Sequence, residues 1–339
     1  MLRQNVIDLG WIERALWLAL EPRAEEEEPH VIEDFEYHRP VLQREVLGLL
    51  KPKPGLLIVD GTCGGGGHTE ALLQSGADVL ALDQDPDAVR HVSEQLAHFG
   101  RRLLVRQANF RHATTVLDEL GLGTIGGGVL LDLGVSSRQL ENAQRGFSFV
   151  QNGPLDMRMD PRTKLTAAKI VNEYGEEELT RLFRELGEEP AARRIASLIV
   201  KMRRTSPFRE TLPLARAIEK LVGRHGRHHP ATQVFQALRM EVNDELGALE
   251  EGLRVLTARL APGGRMAVIT FHSLEDRIVK KFFREHSQEW LDKPEWPEPR
   301  RNPDCDLELV TAKPVEPSDD EQRANPRSRS GKLRVAEKI

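Results

Sequence analysis

The sequence predicts an α/β protein: a parallel sheet with helices on both faces, into which a helical domain is inserted. Short apolar runs of strand length alternate with helical patterns, as in chains that build parallel sheets. A glycine-rich turn follows the first of these runs. The fourth and fifth runs lie about 130 residues apart, far more than a helical crossover needs, and the interval shows helical periodicity with almost no strand signal.

The strands are predicted from continuous apolar runs, which are typical of strands buried on both faces of a sheet. The first run, LLIVD, ends in an acid that is followed by glycines. A short sixth strand, Leu333–Val335, is predicted at the edge of the sheet. The five main strands are predicted at Leu56–Asp60, Val79–Asp83, Leu103–Gln107, Gly128–Asp132 and Arg265–Phe271.

Helices are predicted between the strands and throughout the long interval. A proline in the first turn marks the start of the helix at Pro86–Phe99. After the interval, an apolar stripe from Val234 to Leu260 predicts one long helix. Proline and charge between residues 290 and 331 indicate a long loop or a late hairpin. The remaining helices are predicted at Thr69–Ser75, Glu176–Leu186, Ala191–Arg203 and Leu212–Val222.

These patterns divide the chain of 339 residues, which is long enough for two domains, into three parts. Residues 1–36 form an acidic extension with a short amphipathic helix and a solvated run of glutamates. Residues 37–140 and 231–339 form the sheet domain. Residues 141–230 form the helical insert, which we expect to recognise the substrate.

The net charge of −5 is unevenly distributed. Residues 1–36 carry three basic and ten acidic residues, so the rest of the chain has a net charge of +2. Residues 160–240 carry 16 basic and 10 acidic residues, and Arg327 and Arg329 add charge near the C-terminus. Such a balance suits contact with RNA phosphates, although a solvated basic helix face is the alternative. The run without intervening acids consists of Arg193, Arg194, Lys201, Arg203 and Arg204.

Composition points to a cytoplasmic protein without a membrane or metal partner. No apolar run approaches the roughly 20 residues that span a bilayer, and the N-terminus lacks a secretory signal pattern. Two cysteines, Cys63 and Cys305, cannot form a disulfide framework or a zinc cluster, which fits a reducing compartment. His225, His228 and His229 lie together but lack a nearby fourth ligand, so a loop is expected there.

The chemistry is indicated first by the glycine-rich turn Asp60–His68, DGTCGGGGH, between a strand and a helix. Glycines let a ligand touch bare backbone, and a helix start offers free N–H groups. The dinucleotide spacing fails because Thr69 or Glu70 stands where a glycine is needed, and the phosphate loop fails because Gly67 replaces the lysine. An acid followed by alternate small residues fits a methyltransferase loop for S-adenosylmethionine, with an ordinary tight turn as the alternative.

Residues at the later strand ends complete the predicted site. Asp83 lies about 20 residues past the loop, where an acid accepts both ribose hydroxyls. Phe110, just past the third strand, is placed to cover the adenine. Asp132 ends the fourth strand, where amino-methylating enzymes hold an exocyclic amine; an acceptor there aims the nitrogen lone pair at the methyl group. The alternative for Asp132 is a carboxylate that caps a turn.

The methylated atom is less clearly indicated. The Asp-Pro-Pro-Tyr tetrad of many amino-methylases is replaced by Asp132-Leu-Gly-Val135. Phe147 or Phe149 is a candidate to stack on a flipped base, with core packing as the alternative. Cys63 lies in the cofactor loop and Cys305 in a proline-rich stretch, which argues against carbon-5 methylation through a cysteine.

Several long motifs that are hard to obtain by chance occur from about residue 37 to the end. They are His38-Arg-Pro-Val41, Asp60–His68, Leu130–Ser137, Gly146–Phe149, Gly153–Asp160, His229–Thr232, Phe235–Arg239, Phe271–Arg277 and Asn325–Ser330. Together they resemble the bacterial small-subunit ribosomal RNA (cytosine-N4)-methyltransferases of the MraW family. The resemblance implies a Rossmann-like class I methyltransferase with a helical insert, which methylates N4 of a cytidine in the decoding region of 16S rRNA in the 30S subunit.

Carried over residue by residue, the resemblance implies Asp132 as the catalytic residue, with Gln139 as a second group that orients the reactants. The family often has a polar residue in place of Gly65, and residues 1–36 lie outside the likeness. Two rivals stay open: a methyltransferase for small molecules or proteins, and a non-catalytic ribosome-assembly factor. The implied contacts with S-adenosylmethionine are Gly66, Gly67, His68, Asp83, Phe110, Asp132 and Gln139.

Overall fold

The computed structural model describes residues 40–224, 229–292 and 294–339. The predicted N-terminal helix and its acidic linker, as well as His38, His225 and His228, lie outside the described residues. Within them the chain forms a mainly parallel seven-stranded sheet and a separate two-stranded hairpin. The predicted α/β class is confirmed. No helix in the described ranges is long and apolar enough to cross a membrane.

All five main strands are confirmed, with ends that differ from the prediction by at most one residue. Their residues are largely buried because helices cover both faces of the sheet. The strands are β1 Leu57–Asp60, β2 Asp78–Asp83, β3 Leu103–Gln107, β4 Gly128–Asp132, β5 Arg265–Thr270, β6 Trp290–Leu291, β7 Arg300–Arg301, β8 Leu307–Leu309 and β9 Lys332–Lys338.

The order of strands in the large sheet is β3-β2-β1-β4-β5-β9-β8. From β1 the chain winds outward through β2 and β3 on one side, and through β4 and β5 on the other. Ligands of such sheets bind beyond the carboxyl ends of the strands where the winding reverses, which here lies between β1 and β4. Asp60 and Asp132 end these two strands, so the topology itself places both carboxyl groups at the expected ligand site.

The predicted strand at Leu333–Val335 is present as part of β9, but its predicted position at the sheet edge is wrong. β9 pairs antiparallel with β5 on one side and with β8 on the other. Leu333 and Val335 are fully buried, as expected for a strand inside the sheet and not for one at its edge. The region between 290 and 331, predicted as a loop or a hairpin, contains the β6–β7 hairpin, β8 and one short helix.

The helices predicted between the strands and within the long interval are confirmed to within a few residues. The predicted helix at Pro86–Phe99 ends at Gln95. The helices at residues 43–50, 113–119, 137–141, 167–173 and 319–324 were not predicted. The helices are α1 Gln43–Leu50, α2 Gly67–Gln74, α3 Pro86–Gln95, α4 Ala113–Glu119, α5 Ser137–Glu141, α6 Ala167–Glu173, α7 Glu176–Glu185, α8 Ala192–Arg203, α9 Thr211–Val222, α10 Thr232–Asn243, α11 Glu245–Arg259, α12 Ser273–Ser287 and α13 Asp319–Ala324.

The single long helix predicted over Val234–Leu260 is wrong, because the chain breaks at Asp244 into α10 and α11. Asp244 has φ 48° and ψ 48°, a left-handed conformation that ends one helix and redirects the next. Its carboxylate accepts a hydrogen bond from Arg111 at 2.7 Å. The apolar spacing continues across the break because α10 and α11 each bury a stripe, although in different cores.

The segment between β4 and β5 builds a hydrophobic cluster of its own around the fully buried Phe183 and Ile199. Two further clusters lie on the two faces of the sheet. Val234 and Leu238 of α10 pack into the helical cluster, although they lie after the predicted domain boundary at residue 230. The division of the chain at residues 141 and 230 stays a prediction. It is tested by asking whether this cluster unfolds independently of the sheet.

We expect Phe183→Ala to lower the free energy of unfolding of the helical cluster by about 3–5 kcal/mol, because it leaves a large cavity in a fully buried site. If the insert is a separate unit, calorimetry will show an early transition that a methyltransferase ligand does not shift. Arg181→Ala, on the exposed face of the same helix, is the matched control and should change stability by no more than about 0.5 kcal/mol. A single cooperative transition for Phe183→Ala would contradict the division into domains.

Candidate active site

The carboxyl end of β1 holds a fully buried acid, Asp60. The Thr69 hydroxyl donates to its carboxylate at 2.6 Å, and the Thr62 N–H donates at 3.2 Å. Burial raises the pKa of Asp60 to about 6, against the opposing effect of these two donors. One donor belongs to the glycine-rich turn and the other to the helix after it, so the Asp60 carboxylate fixes the conformation of the turn by hydrogen bonds from inside the protein.

The turn after β1 depends on glycine at specific positions. Gly64 has φ 48° and donates its N–H to the Asp83 carboxylate at 2.9 Å. Gly66, with φ 84°, precedes the first residue of α2. A Cβ on Gly67 would lie 2.4 Å from Cγ of Pro40. Side chains at these positions would strain the backbone or displace the chain before α1, so the turn brings bare backbone to the end of the sheet.

Asp83 ends β2 beside this turn. One carboxylate oxygen accepts from Gly64, and the other accepts from the N–H of Asp85 at 2.9 Å. Burial raises the pKa of Asp83 to about 6, although these two hydrogen bonds favour the charged form. A carboxylate held in this way still has lone pairs for ligand hydroxyls, as the sequence predicted for this residue.

Phe110 forms an apolar wall next to Asp83. The residue is 8% exposed and belongs to the core cluster on one face of the sheet. A Cβ on Gly252 would lie 2.4 Å from Cδ2 of Phe110, and a Cβ on Gly61 would lie 3.0 Å from Cβ of Phe110. The ring is therefore clamped between α11 and the turn, and each contact is possible only because glycine stands there.

Asp132 stands at the centre of the site. Its backbone N–H donates to the Thr62 hydroxyl at 2.7 Å, which ties the end of β4 to the turn after β1. The side chain is 25% exposed, yet Oδ1 is buried without a hydrogen-bond partner among the described residues. Oδ2 lies 3.7 Å from Nε2 of His68, which is also buried and without a partner there. These two unsatisfied atoms indicate a place prepared for a ligand.

Electrostatics favour the neutral forms of this pair in the free protein. Burial, and next the charges of Asp60 and Glu275, raise the pKa of Asp132 to about 8. Burial lowers the pKa of His68 to about 4, against a hydrogen bond with the backbone of Val41. Asp132 and His68 therefore do not form a fixed ion pair at neutral pH, and the carboxyl group is free to change its protonation state.

Two clefts meet at Asp132. The first contains Asp83, Phe110 and the buried Gln139; the second contains Gly67 and His68. Among the described residues that line them, Thr62, Gly64, Asp132, Leu133 and Gly134 belong to both clefts. Of the residues predicted to bind the cofactor, Gly66 lines neither cleft and instead starts α2. The other predicted residues divide between the clefts: Asp83, Phe110 and Gln139 line the first, Gly67 and His68 the second, and Asp132 both.

Gln139 is held in place by hydrogen bonds within the protein. Its side-chain amide donates to Asp85 at 2.8 Å and accepts from the N–H of Ser136 at 3.0 Å, which caps α5. Arg145 also pairs with Asp85, at 2.9 Å. Gln139 lines the first cleft, but two of its polar groups are already used.

The wall opposite the turn contains residues whose importance the sequence did not reveal. Phe271, His272 and Glu275 line the clefts just beyond β5, and Glu275 is buried. Glu275 accepts the N–H of Phe271 at 2.8 Å. His272 Nε2 lies 3.0 Å from Glu275 but lacks hydrogen-bond geometry and has no partner among the described residues. The motif Phe271–Arg277 was a signal, although it assigned no role to these side chains.

The aromatic residues considered for base stacking lie elsewhere. Phe147 is buried in the helical cluster, with the Arg145 guanidinium 5.8 Å from its ring centre. Phe149 packs against Phe235, with ring centres 4.7 Å apart. Neither lines the two clefts in the described part of the chain. Core packing therefore accounts for both, and the aromatic side chain that faces the second cleft is Phe271.

Comparison with known proteins agrees with this geometry. The model of the MraW methylase family matches residues 36–339. The chain belongs to this family. The predicted resemblance is thereby confirmed, and the chain is a methyltransferase. The match covers the sheet, the segment between β4 and β5 and the C-terminal strands, so every residue of the site described above lies inside it.

Named relatives align with this chain over nearly their whole length. Two proteins named ribosomal RNA small subunit methyltransferase H, from Heliobacterium modesticaldum and Syntrophotalea carbinolica, are each 50% identical. Each alignment covers 89% of this chain, and 99% and 98% of the relative, respectively. A solved rRNA methylase structure from Streptococcus thermophilus is 11% identical, with a TM-score of 0.41 over 89% of this chain and 98% of its own.

We expect Gly252→Ala to weaken binding of S-adenosylmethionine about 10-fold, because the new methyl group overlaps the Phe110 ring and displaces it. Isothermal titration calorimetry measures this loss. Gly48→Ala is the matched control: no atom lies within 4 Å of the added Cβ in helix α1, and its cofactor affinity should not change. Equal affinities of both variants and the unmodified protein would show that Phe110 is not part of the cofactor site.

Proposed function

We propose that this protein transfers a methyl group from S-adenosylmethionine to N4 of a cytidine in the decoding region of 16S rRNA, acting on the 30S subunit in the cytoplasm. The observation that carries the proposal is the unpartnered carboxylate oxygen of Asp132 where the two clefts meet. Membership in the MraW methylase family and relatives named for small-subunit rRNA methylation support it.

The first cleft fits S-adenosylmethionine. Asp83 has carboxylate lone pairs for ribose hydroxyls, and Phe110 offers an apolar face for adenine. Gly64 leaves room that a side chain would fill, and the turn contains no lysine of the kind that phosphates require. Asp60, Asp83 and Asp132 make the neighbourhood acidic, which suits a ligand that carries a positive sulfonium.

When bound, S-adenosylmethionine supplies a methyl group on a positively charged sulfur. The residues around the second cleft have to hold and orient the accepting amine. As its nitrogen gains a methyl group it must lose one proton, and the ionised carboxylate of Asp132 can accept it. Before that, the same carboxylate accepts an N–H from the amine and directs the nitrogen lone pair away from the ring. His68 Nε2 lies 3.7 Å from this carboxylate without a hydrogen bond, and because the pKa of His68 is lowered to about 4, its imidazole does not neutralise the carboxylate.

Several features of the second cleft favour a nucleobase over a small free amine. Phe271 provides an aromatic face, and His272 and Arg239 add polar groups to the same wall. Outside the cleft, Arg193, Arg194, Lys201 and Arg204 are exposed on and just after α8, as RNA binding requires. By contrast Arg203 is half-buried and donates to the carbonyl of Val171 at 2.8 Å. It is therefore a structural residue rather than an RNA contact.

Asp132→Asn should reduce turnover at least 100-fold while cofactor affinity stays within a few-fold, because the amide accepts a hydrogen bond but cannot accept the proton. The kcat of the unmodified enzyme should rise with pH through an apparent pKa of about 8 or lower, since a cationic cofactor favours the charged carboxylate. Single-turnover assays with the methyl donor in excess measure both effects. A pH profile that is the same in the variant would remove Asp132 from the proton transfer.

The same variant should be more stable than the unmodified protein without ligand. Folded Asp132 keeps its proton up to a pH of about 8, whereas the unfolded residue loses it near 3.8, so ionisation costs folding stability as pH rises between these values. Asparagine removes this cost. In urea denaturation the advantage of the variant should grow from pH 4 to pH 8 and then level off. An advantage that is constant with pH would contradict the buried, proton-retaining Asp132.

Mass mapping of methylated nucleotides in 16S rRNA, from cells with and without the gene, tests the function itself. We expect one cytidine in the decoding region to lose one methyl group on N4 when the gene is deleted, and to regain it with the gene but not with Asp132→Asn. Unchanged rRNA together with methylation of a small amine would support a small-molecule enzyme. Unchanged rRNA with retained binding to 30S particles would support an assembly factor.

A further inference from the structure

The helix α12, Ser273–Ser287, has a basic outer face. Its inner face buries Leu274, Val279 and Phe283 against the sheet. The opposite face carries basic residues at positions i, i+3, i+4 and i+7, which lie on one side of a helix over about 10 Å. We call Arg277, Lys280, Lys281 and Arg284 the α12 stripe; all four are exposed.

The acids around the stripe do not neutralise it. Asp276 flanks one side and is held by Arg334 at 2.7 Å. Glu188 reaches from the helical segment to Arg277 at 3.4 Å and accepts the Ser273 hydroxyl at 2.6 Å. Within the described residues, Lys280, Lys281 and Arg284 make no ion pair. Glu285 flanks the other side of the stripe and is exposed.

The stripe connects to the second cleft through the C-terminal segment. Arg327 lines that cleft, and Arg329 of the same 3₁₀ turn is exposed. Burial opposes the charge on Asp276, but Arg334, together with the nearby Lys332 and Lys280, holds its pKa below the usual value. Lys332 begins β9 opposite Thr270, three residues before the first residue of α12, so it lies along the sheet between the turn that holds Arg327 and the start of the stripe. Arg327 itself pairs with Glu141 at 3.3 Å.

Beyond the other end of the stripe lies the β6–β7 hairpin with two tryptophans, of which Trp290 is exposed and Trp296 is half-buried. Trp290, three residues past the end of α12, is 54% exposed and pairs in the β6–β7 hairpin with Arg301. In the same hairpin, the Arg300 guanidinium lies 4.8 Å from the ring centre of Trp296. Exposed aromatic rings next to arginines are the means by which proteins stack unpaired bases.

We propose that the α12 stripe, extended by Lys332 toward the cleft and by Trp290 at its far end, binds the backbone of substrate RNA that flanks the target nucleotide. The inference rests on the proposed function and adds a contact surface outside the helical segment between β4 and β5. Phosphates fit a row of exposed cations of which Lys280, Lys281 and Arg284 make no ion pair among the described residues, and the aromatic end fits RNA better than it fits an acidic protein.

The test compares two triple variants that lose the same charge. Lys280→Gln, Lys281→Gln and Arg284→Gln remove most of the stripe. The control variant replaces three exposed cations that lie outside the stripe, as Lys53→Gln, Arg101→Gln and Arg254→Gln. Lys53 and Arg101 precede strands β1 and β3, and Arg254 lies on the outer side of α11. Both are assayed as full-length protein with small ribosomal subunits from cells that lack the enzyme.

The stripe variant should lose affinity for the subunits at least 10-fold at physiological salt. Its plot of log Kd against log salt should lose about two to three units of slope, because each lost phosphate contact removes about 0.7–0.9. KM for the subunits should rise, whereas kcat and the Kd for S-adenosylmethionine should stay unchanged. The control should keep most of the slope. Trp290→Ala should weaken binding without changing the slope, since stacking releases no counterions.

Equal slopes for the two triple variants overturn the proposal, as does a loss of kcat without a change in KM. The single variant Arg284→Lys keeps the positive charge and should therefore bind like the unmodified protein. This variant separates the effect of charge from an effect on folding. Failure of this proposal and failure of the proposed function give different results. If the salt dependence of subunit binding changes with the stripe but the unmodified protein methylates no rRNA, the binding surface is right and the proposed function is wrong. If the protein methylates rRNA but the stripe does not affect the salt dependence, the proposed function is right and the binding surface is wrong.

Discussion

Three neighbouring parallel strands end in aspartates, and this crowding of acids at one edge of the sheet governs the architecture of the site. Asp60, Asp83 and Asp132 are brought together because β2, β1 and β4 are adjacent: Asp60 lies opposite Ala81 and Leu130, each two residues before the aspartate that ends its strand. Each carboxyl group has a raised pKa, so the fold bears a cost for holding it there. The turn between Thr62 and Thr69 offsets part of that cost by donating N–H and O–H groups to Asp60 and Asp83.

The segment that enters the helical region is fastened to the same edge. Asp85 caps α3 by accepting the N–H of Asp87 at 3.0 Å, and it also binds Gln139 and Arg145. Arg145 in turn donates to the carbonyls of Arg158 and Met159 in the loop that borders the first cleft. A change in the packing of the helical segment therefore reaches the first cleft through one carboxylate, which gives a physical route between the proposed RNA-binding segment and the proposed cofactor site.

Charge is segregated between the interior of the site and its surroundings. Among the described residues, the first cleft is lined by Asp83, Asp132, Glu245 and Glu275 and by no lysine or arginine, which favours a cationic methyl donor over phosphate-bearing nucleotides. The surfaces around the clefts, on α8 and on α12, carry exposed lysines and arginines. The overall net charge of −5 conceals this arrangement, because the acidic residues 1–36 outweigh a basic remainder. An enzyme for RNA needs this separation: phosphates are attracted to the rim, while the reaction centre remains suited to a sulfonium.

The amino-acid sequence alone determined the five parallel strands, the glycine turn and the placement of Asp83, Phe110 and Asp132, because apolar runs and strand ends are local features. It did not show the break at Asp244, since helices buried in two different cores have the same apolar spacing as one long helix. It also did not show that His272 and Glu275 face Asp132, or that β9 lies inside the sheet. Those relations join residues that are distant in the sequence, such as Leu307 and Lys338, Arg265 and Glu337, or Asp132 and Glu275, and only the packing of β4 against β5 and of β9 against both its neighbours decides them.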